Sequence, residues 1–147
     1  MALRKKEILP SVAAIIFNDR GQVLLHKRRD VGKWSIISGH VEFGESVEEA
    51  IVREIKEELD TPSLIVRLIG VYSSPSTATY HYDDKTVHYV TSYFEAKLLA
   101  AIDPQFSNEE TEAVSFFAID QIPSDLALMN PYWLEDALQR RAQAFIR

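Results

Sequence analysis

The sequence contains no cysteine and only five glycines in 147 residues. Without cysteine the chain has no disulfide framework, no thiolate nucleophile and no cysteine-ligated zinc site. A domain of about 150 residues buries enough surface to fold without covalent cross-links, so the missing disulfides do not argue against a folded protein. The absence of cysteine fits a reducing compartment, and we expect a cytoplasmic protein.

Long apolar runs are also missing. No stretch approaches the roughly 18 apolar residues of a membrane-spanning helix, and residues 1–10 lack the apolar core of a signal peptide. The net charge of −6 and the lack of a basic stripe disfavour duplex DNA, long RNA or an anionic membrane as the main partner. Because no Pro-, Gly- or Ser-rich linker and no repeat interrupts the chain, we expect a single domain over residues 1–147.

The negative charge is concentrated in two segments. Residues 42–60 hold eight acidic and two basic residues, and residues 98–139 hold eight acidic residues and no basic one. The charge is therefore sorted along the chain, and both acidic segments are candidates for a functional site.

The hydrophobic pattern predicts interleaved strands and helices. Strands are predicted, the first two as a hairpin, over residues 11–18, 22–27, 34–37, 64–72, 87–99 and 113–119. Helices are predicted over 46–59, where Ser46 and Glu49 suit a capping box, and over 131–146. Residues 38–45 form a constrained loop and residues 73–85 a polar hairpin loop. The class is therefore α/β or α+β.

Three glutamates of the first helix lie close together, and two of them, Glu54 and Glu58, fall inside or beside its apolar arc. On a helical wheel Glu54, Glu57 and Glu58 cluster together, whereas Arg53 lies on the opposite, solvated face, where it can pair with Glu49. Carboxylates that converge at a half-buried edge need a positive partner, and Mg²⁺ prefers such oxygen ligands. An ordinary acidic helix face remains the alternative.

The spacing of these residues carries a family resemblance. Gly39, five residues, Glu45, seven residues and then Arg53-Glu54-Ile55-Lys56-Glu57-Glu58 resembles the signature of the Nudix (MutT-like) hydrolases, at seven of its nine specified positions. Asp60 and Thr61 depart from it, because the family has glycine and an aliphatic residue there.

The resemblance implies a fold and an activity. The fold would be α/β, the Nudix α/β/α sandwich with a central mixed sheet. The activity would be hydrolysis of a diphosphate linkage in a nucleoside diphosphate derivative, with Mg²⁺ or Mn²⁺ as cofactor. The substrate would be an ADP-ribose-like molecule or nucleotide sugar, a nucleoside triphosphate or a dinucleoside polyphosphate, and residues 70–75 slightly favour the first. Relatives often dimerise, so a homodimer is compatible with the resemblance.

The resemblance also implies roles for individual residues. Glu54, Glu57 and Glu58 would bind metal, with the backbone carbonyl of Ser38 as a further ligand. Arg53 would then orient the glutamates, contrary to its position on the wheel. Gly39 and Glu45 would be structural members of the motif.

The family resemblance implies that the second acidic segment supplies one more carboxylate. We favour Glu112 as this metal ligand, with Glu110 next, and a solvated loop as the alternative. The general base that takes the proton from the attacking water is left open among Glu54, Glu57 and this extra glutamate.

Substrate contacts are predicted from residue type alone. Arg28 and Arg29 can hold phosphate, and a nucleobase can stack on aromatic side chains, for which the candidates are Trp34, Phe43, Tyr72, Tyr80 and Tyr82. Trp34 is also a core candidate, and His81 can face the substrate. Two other functions stay open: a non-catalytic nucleotide-binding regulatory module on the same fold, and RNA decapping, which the acidic charge disfavours.

Overall fold

The computed structural model describes residues 4–147. Its strands are β1 (Lys5–Ile16), β2 (Val23–Arg28), β3 (Lys33–Ser35), β4 (Ile37–His40), β5 (Ser63–Tyr72), β6 (Thr79–His81), β7 (Lys85–Leu98), β8 (Thr111–Phe117) and β9 (Phe145–Ile146). Its helices are α1 (Val47–Leu59), α2 (Pro75–Ala78) and α3 (Glu135–Leu138). None of the helices in this part of the chain combines the length and the apolar character needed to cross a membrane.

The strands form two sheets. The larger sheet has the order β4-β1-β7-β5-β9, with β6 added along β7, and the smaller has the order β3-β2-β8. β1 runs parallel to β7 and β9 runs parallel to β5, whereas β4, β5 and β6 pair antiparallel with their neighbours β1 and β7. The larger sheet is therefore mixed.

Side chains on the two faces of β1 pack in two different apolar clusters, because successive side chains of a strand point to opposite sides of the sheet. Val12 packs in the cluster that contains Ile55 of α1. Ile15 packs in the cluster that contains Trp133 and Ala137 of the C-terminal segment. Helical segments thus cover both sides of the strands. The expected α/β/α sandwich with a central mixed sheet is confirmed.

Local signals set both ends of α1. The Ser46 hydroxyl accepts from the Glu49 backbone N–H at 3.1 Å, and the Glu49 carboxylate accepts from the Ser46 N–H at 3.1 Å, so the predicted capping box is present. The helix ends at Asp60, which adopts the left-handed conformation with φ of 50° and donates its N–H to the Lys56 carbonyl. Aspartate tolerates this conformation better than most residues, so it replaces the family glycine without moving the helix end.

Three predictions about the strands and the loop between β5 and β7 need correction. The first two strands do not form a hairpin ladder, because β1 and β2 diverge into different sheets after one bridge between Phe17 and Val23. The loop predicted over 73–85 contains α2 and the short strand β6, which pairs with β7. β1 also begins earlier than predicted, at Lys5, because its polar first half pairs with β7.

The predicted C-terminal helix over 131–146 is wrong. Only the four residues of α3 are α-helical, and the chain then runs irregularly to β9, which pairs with β5 at Gly70 and Val71. Gly70 permits this approach, since a Cβ there would lie 2.5 Å from the carbonyl oxygen of Phe145. A nonlocal contact therefore overrides the helical periodicity, although the buried Trp133 and Phe145 are core residues as predicted.

Candidate active site

Arg53 is the centre of the acidic cluster on α1. Its guanidinium donates to both carboxylate oxygens of Glu45, at 2.6 and 3.0 Å, to Glu54 Oε1 at 3.0 Å and to Glu57 Oε2 at 3.1 Å. A fifth hydrogen bond reaches the carbonyl oxygen of His40 at 3.0 Å. A planar guanidinium suits this pattern because its five donors have fixed directions. Arg53 therefore joins the loop before α1, strand β4 and two glutamates of the helix.

The solvated position that the helical wheel predicts for Arg53 is wrong. Its side chain is only 22 % exposed, and Glu49, the partner expected on the wheel, closes the capping box instead. A helical wheel shows only the residues of one helix, whereas Arg53 also binds Glu45 and the His40 carbonyl, which belong to other segments. The arrangement that the family resemblance implies for Arg53 is the one present.

Glu54 is packed against the backbone of β4. Its side chain is 12 % exposed, and a Cβ added to Gly39 would come closer than 3.0 Å to all three atoms of its carboxyl group. Burial raises the pKa of Glu54, and the hydrogen bond from Arg53 opposes this shift. Glycine at position 39 is thus what allows the Glu54 carboxylate to lie against the strand.

Glu58 belongs to a second group of polar side chains, deeper than Arg53. Its Oε2 accepts from the buried Thr111 hydroxyl at 3.2 Å and lies 3.7 Å from Nδ1 of His26. Burial, followed by the hydrogen bond and the charge of the neighbouring Glu110, raises the pKa of Glu58 to about 7. Burial and the charge of Arg28 lower the pKa of His26 to about 4, so its imidazole is neutral near neutral pH.

Glu110, and not Glu112, faces the helix glutamates. Glu110 lines a groove together with Glu57 and Glu58. Glu112 instead pairs with Lys27, at 3.3 Å, and its side chain is 50 % exposed. The reason is a register shift between β2 and β8, which leaves Glu112 without a partner in the ladder. The structure thus does not bring the favoured Glu112 to the cluster, and Glu110 takes that position.

A cleft of about 570 Å³ opens beside this cluster over one face of the larger sheet. Four paired residues cross the floor of the cleft, one on each of four neighbouring strands. They are His40 of β4, Ser11 of β1, Thr91 of β7 and Tyr72 of β5. Ser38 and Gly39 also line the cleft. The floor therefore continues from the motif loop to β5.

The part of the cleft that lies along β6 and β7 is lined by tyrosines. The Tyr89 ring stacks on His40 with a centroid distance of 5.6 Å and meets Tyr80 edge to face at 5.4 Å. The hydroxyl oxygens of Tyr82 and Tyr89 are 2.9 Å apart. These rings are amphipathic surfaces with a flat apolar face and a hydroxyl group.

Charged side chains in the cleft are mainly acidic. Two arginines face four carboxylates among the lining residues: Arg28 and Arg29 against Asp30, Glu58, Glu109 and Glu110. Arg28 is itself paired with Asp30 at 2.5 Å. An anionic ligand therefore needs additional positive charge to bind here.

The family model for the NUDIX domain matches residues 8–140, which cover most of the chain and the whole motif. The chain belongs to the Nudix family. This assignment confirms the resemblance drawn from the motif.

Individual relatives and solved structures agree with the assignment. The ADP-ribose pyrophosphatase of Methanocaldococcus jannaschii is 35 % identical over 120 residues, which are 78 % of this chain and 65 % of that protein. The crystal structure of a UDP-X diphosphatase superposes with a TM-score of 0.73 and 28 % identity over 95 % of this chain and 64 % of the other. A NUDIX hydrolase from Nitrosomonas europaea gives the same TM-score with 26 % identity, over 95 % of this chain and 76 % of the other. The chain spans less than two thirds of the first two proteins.

The acidic groups of this Nudix chain fit a hard divalent cation. Glu54, Glu57, Glu58 and Glu110 offer carboxylate oxygens, which such cations prefer, and a nearby cation would offset the repulsion that Glu58 experiences from Glu110. Within residues 4–147, no three Asp, Glu or His side chains already converge on one point, and Arg53 holds two of the glutamates. The cluster therefore has suitable ligand oxygens, but Arg53 also binds the oxygens of Glu54 and Glu57.

Some predicted substrate residues of the Nudix chain lie in the cleft and others do not. Lining positions are held by Arg28, Arg29, Tyr80 and Tyr82. Tyr72 also borders the cleft, but it is 2 % exposed and its hydroxyl donates to Asp136, so it is a core residue. Trp34 is absent from the lining; it packs edge to face on Phe117 at 5.0 Å as part of the core. Phe43 projects fully into solvent, and the exposed His81 bonds Thr86. The structure therefore does not bring Trp34, Phe43 or His81 to the cleft.

Several site residues were missed from the sequence. Tyr89, Thr91 and Tyr93 line the cleft, and their alternation along a predicted strand places them on one face. That alternation is a usable signal for the half-buried Tyr89 and Thr91, whereas Tyr93 is 6 % exposed and packs in the apolar core. His26 gave no signal, since nothing local links it to Glu58.

Proposed function

We propose that this chain hydrolyses a diphosphate linkage in a nucleoside diphosphate derivative, with Mg²⁺ or Mn²⁺ as cofactor. The observation that carries the proposal is the group of glutamates from α1 and from the turn before β8 at one end of a cleft. When bound, the cation would neutralise phosphate oxygens and lower the pKa of a water molecule. Glu54, Glu57, Glu58, Glu110 and the Ser38 carbonyl would hold it.

The remaining chemistry falls to side chains of the chain itself. Arg53 keeps Glu54 and Glu57 in fixed orientations, which limits the reorganisation needed on substrate binding. Arg28 and Arg29 would contact phosphate oxygens from the rim of the cleft. A carboxylate of the cluster would take the proton of the attacking water, with Glu54 and Glu57 as the candidates.

We propose further that the substrate is ADP-ribose-like or a nucleotide sugar, and not a nucleoside triphosphate. Two arginines against four carboxylates leave little positive charge for a third phosphate. The rings of Tyr80, Tyr82 and Tyr89 and the Thr91 hydroxyl suit a base and a sugar, which are uncharged and rich in hydrogen-bonding groups. The same acidic lining disfavours a long RNA, whose backbone carries a charge at every nucleotide.

The test is a Glu57→Gln variant with a matched control on the same helix. Turnover of ADP-ribose, UDP-glucose and dGTP is measured with and without Mg²⁺ by chromatography of the products. Glu57→Gln is expected to lower kcat roughly 10²–10⁴-fold. Glu48→Gln, an identical change at an exposed position of the first turn, is expected to keep full activity.

Two results would overturn the proposal. No metal-dependent turnover of any of the three substrates would exclude the hydrolase function and favour the non-catalytic nucleotide-binding module. Full activity of Glu57→Gln would exclude the assigned role of the cluster. A preference for dGTP over both diphosphate substrates would leave the hydrolase function intact and reject the proposed substrate class.

A further inference from the structure

A buried hydroxyl connects a histidine to one of the glutamates. Thr111 is fully buried, and its Oγ1 lies 2.9 Å from Nδ1 of His26 and 3.2 Å from Oε2 of Glu58. When Glu58 is ionised, its carboxylate can only accept, so the threonine hydroxyl donates to it and the threonine oxygen is left to accept from Nδ1 of His26. The three side chains, from β2, β8 and α1, form one directed chain of hydrogen bonds that ends on the carboxylate.

Asn108 joins the same glutamate to the turn that carries Glu110. Its Nδ2 donates to the backbone carbonyl of Glu58 at 3.2 Å. Its Oδ1 accepts the backbone N–H groups of Glu110 at 2.9 Å and of Thr111 at 2.7 Å. One side chain therefore fixes both the end of α1 and the turn opposite, from which the Glu110 carboxylate approaches Glu58.

The arrangement holds two like charges together. Glu58 is 8 % exposed, and its pKa is raised by burial and by the neighbouring Glu110, whose negative charge repels it. Within residues 4–147, the hydroxyl of Thr111 is the neutral side chain that donates to the Glu58 carboxylate. Electrostatic repulsion alone would separate the two carboxylates, so the polar contacts hold Glu58 and Glu110 close together against that cost.

We infer that His26, Asn108 and Thr111 are positioning residues that orient Glu58 toward Glu110 and thereby set the affinity of the cluster for a divalent cation. The inference rests on the proposed function, because it takes both glutamates as ligands. Side chains that hydrogen-bond to metal ligands commonly change metal affinity 10–100-fold when they are replaced.

The experiment measures Mn²⁺ binding to the full chain by electron paramagnetic resonance, without substrate. Thr111→Val removes the hydroxyl and keeps the shape, and we expect Kd for Mn²⁺ to rise roughly 10–100-fold. Thr111→Ser restores the hydroxyl and should recover an affinity close to that of the unmodified protein. The matched control is Thr61→Val, since Thr61 is also buried beside α1 but donates to the Leu59 carbonyl. We expect this control to bind Mn²⁺ normally.

A second variant covers the case in which Thr111→Val does not fold. His26→Phe keeps a planar ring and removes Nδ1, and it should weaken Mn²⁺ binding in the same direction. Unchanged Mn²⁺ affinity in whichever of the two variants folds, or an equal loss in Thr61→Val, would overturn the positioning role and leave the proposed function standing. Absence of Mn²⁺ binding to the unmodified chain would instead overturn the proposed function.

Discussion

Gly39→Ala tests whether the β4 backbone sets the position of the Glu54 carboxylate. The new Cβ would lie 2.6 Å from Oε2 and nearer still to the other two carboxyl atoms. Nonbonded atoms rest at about 3.5 Å or more, so the carboxyl group must retreat by about 1–1.5 Å. A displacement of about 1 Å at a reacting centre lowers the rate roughly 10²-fold, which corresponds to about 2.7 kcal/mol in the activation free energy.

The same substitution should leave the fold nearly unchanged. Gly39 is not among the glycines with positive φ, so an alanine backbone is not strained there, and the side chain that must move is a flexible one. The matched control is Gly21→Ala, at a turn where φ is +73° and no atom lies within 4 Å of the new Cβ. Backbone strain at this position should cost about 1–2 kcal/mol without any effect on kcat.

The two variants thus separate activity from stability. The assay pairs kcat for ADP-ribose at saturating Mg²⁺ with the free energy of unfolding from urea titration. Gly39→Ala should lose activity and keep stability, and Gly21→Ala should do the reverse. The reasoning is refuted if Gly39→Ala keeps kcat within about twofold, because a carboxylate shifted by about 1 Å cannot then be part of the catalytic geometry.

Three further perturbations can be checked on the same protein. Mg²⁺ at about ten times its Kd should raise the free energy of unfolding by about 1.4 kcal/mol and Tm by about 3–6 °C in differential scanning fluorimetry; a Tm insensitive to Mg²⁺ would contradict the cation site. Asp136→Asn should cost about 3 kcal/mol in urea titration, because this fully buried carboxylate accepts from the Tyr72 hydroxyl at 2.7 Å and from Arg147 at 2.9 and 3.0 Å; a loss below about 1 kcal/mol would show that the buried contacts contribute little. Asp60→Gly should raise the free energy of unfolding by about 0.5–1 kcal/mol, since φ is 50° there, and a decrease would mean that the aspartate stabilises the helix end.

Local signals predicted the helix that carries the motif, and nonlocal contacts decided what was missed. Ser46 and Glu49 form a capping box, whose partners are three residues apart, so its prediction needed no tertiary information. The C-terminal segment follows a helical periodicity, yet Phe145 pairs with β5 at Gly70, a residue far away in the chain. No pattern within residues 131–146 indicates that partner.

The same distinction holds within the candidate site. The spacing of the glutamates on α1 could be predicted because one helix sets it. The position of Arg53 followed from the family resemblance and not from the wheel, since its strongest partner, Glu45, lies outside the helix. Glu110, and not the predicted Glu112, lies at the cluster because of a register shift between β2 and β8. The alternation of residues in a single strand cannot indicate such a shift.

The two pairs of carboxylates in the cluster have different surroundings. Arg53 offsets Glu54 and Glu57 through direct hydrogen bonds, whereas Glu58 and Glu110 face each other beside neutral donors. A cation that binds the first pair must compete with the guanidinium, but a cation that binds the second pair relieves a repulsion already present. The free energy of cation binding should therefore come mainly from Glu58 and Glu110, and the contacts of Arg53 should control how the other two carboxylates are presented to a phosphate group. In this arrangement the motif helix alone does not make the site, because Glu110 comes from a turn in the second acidic segment.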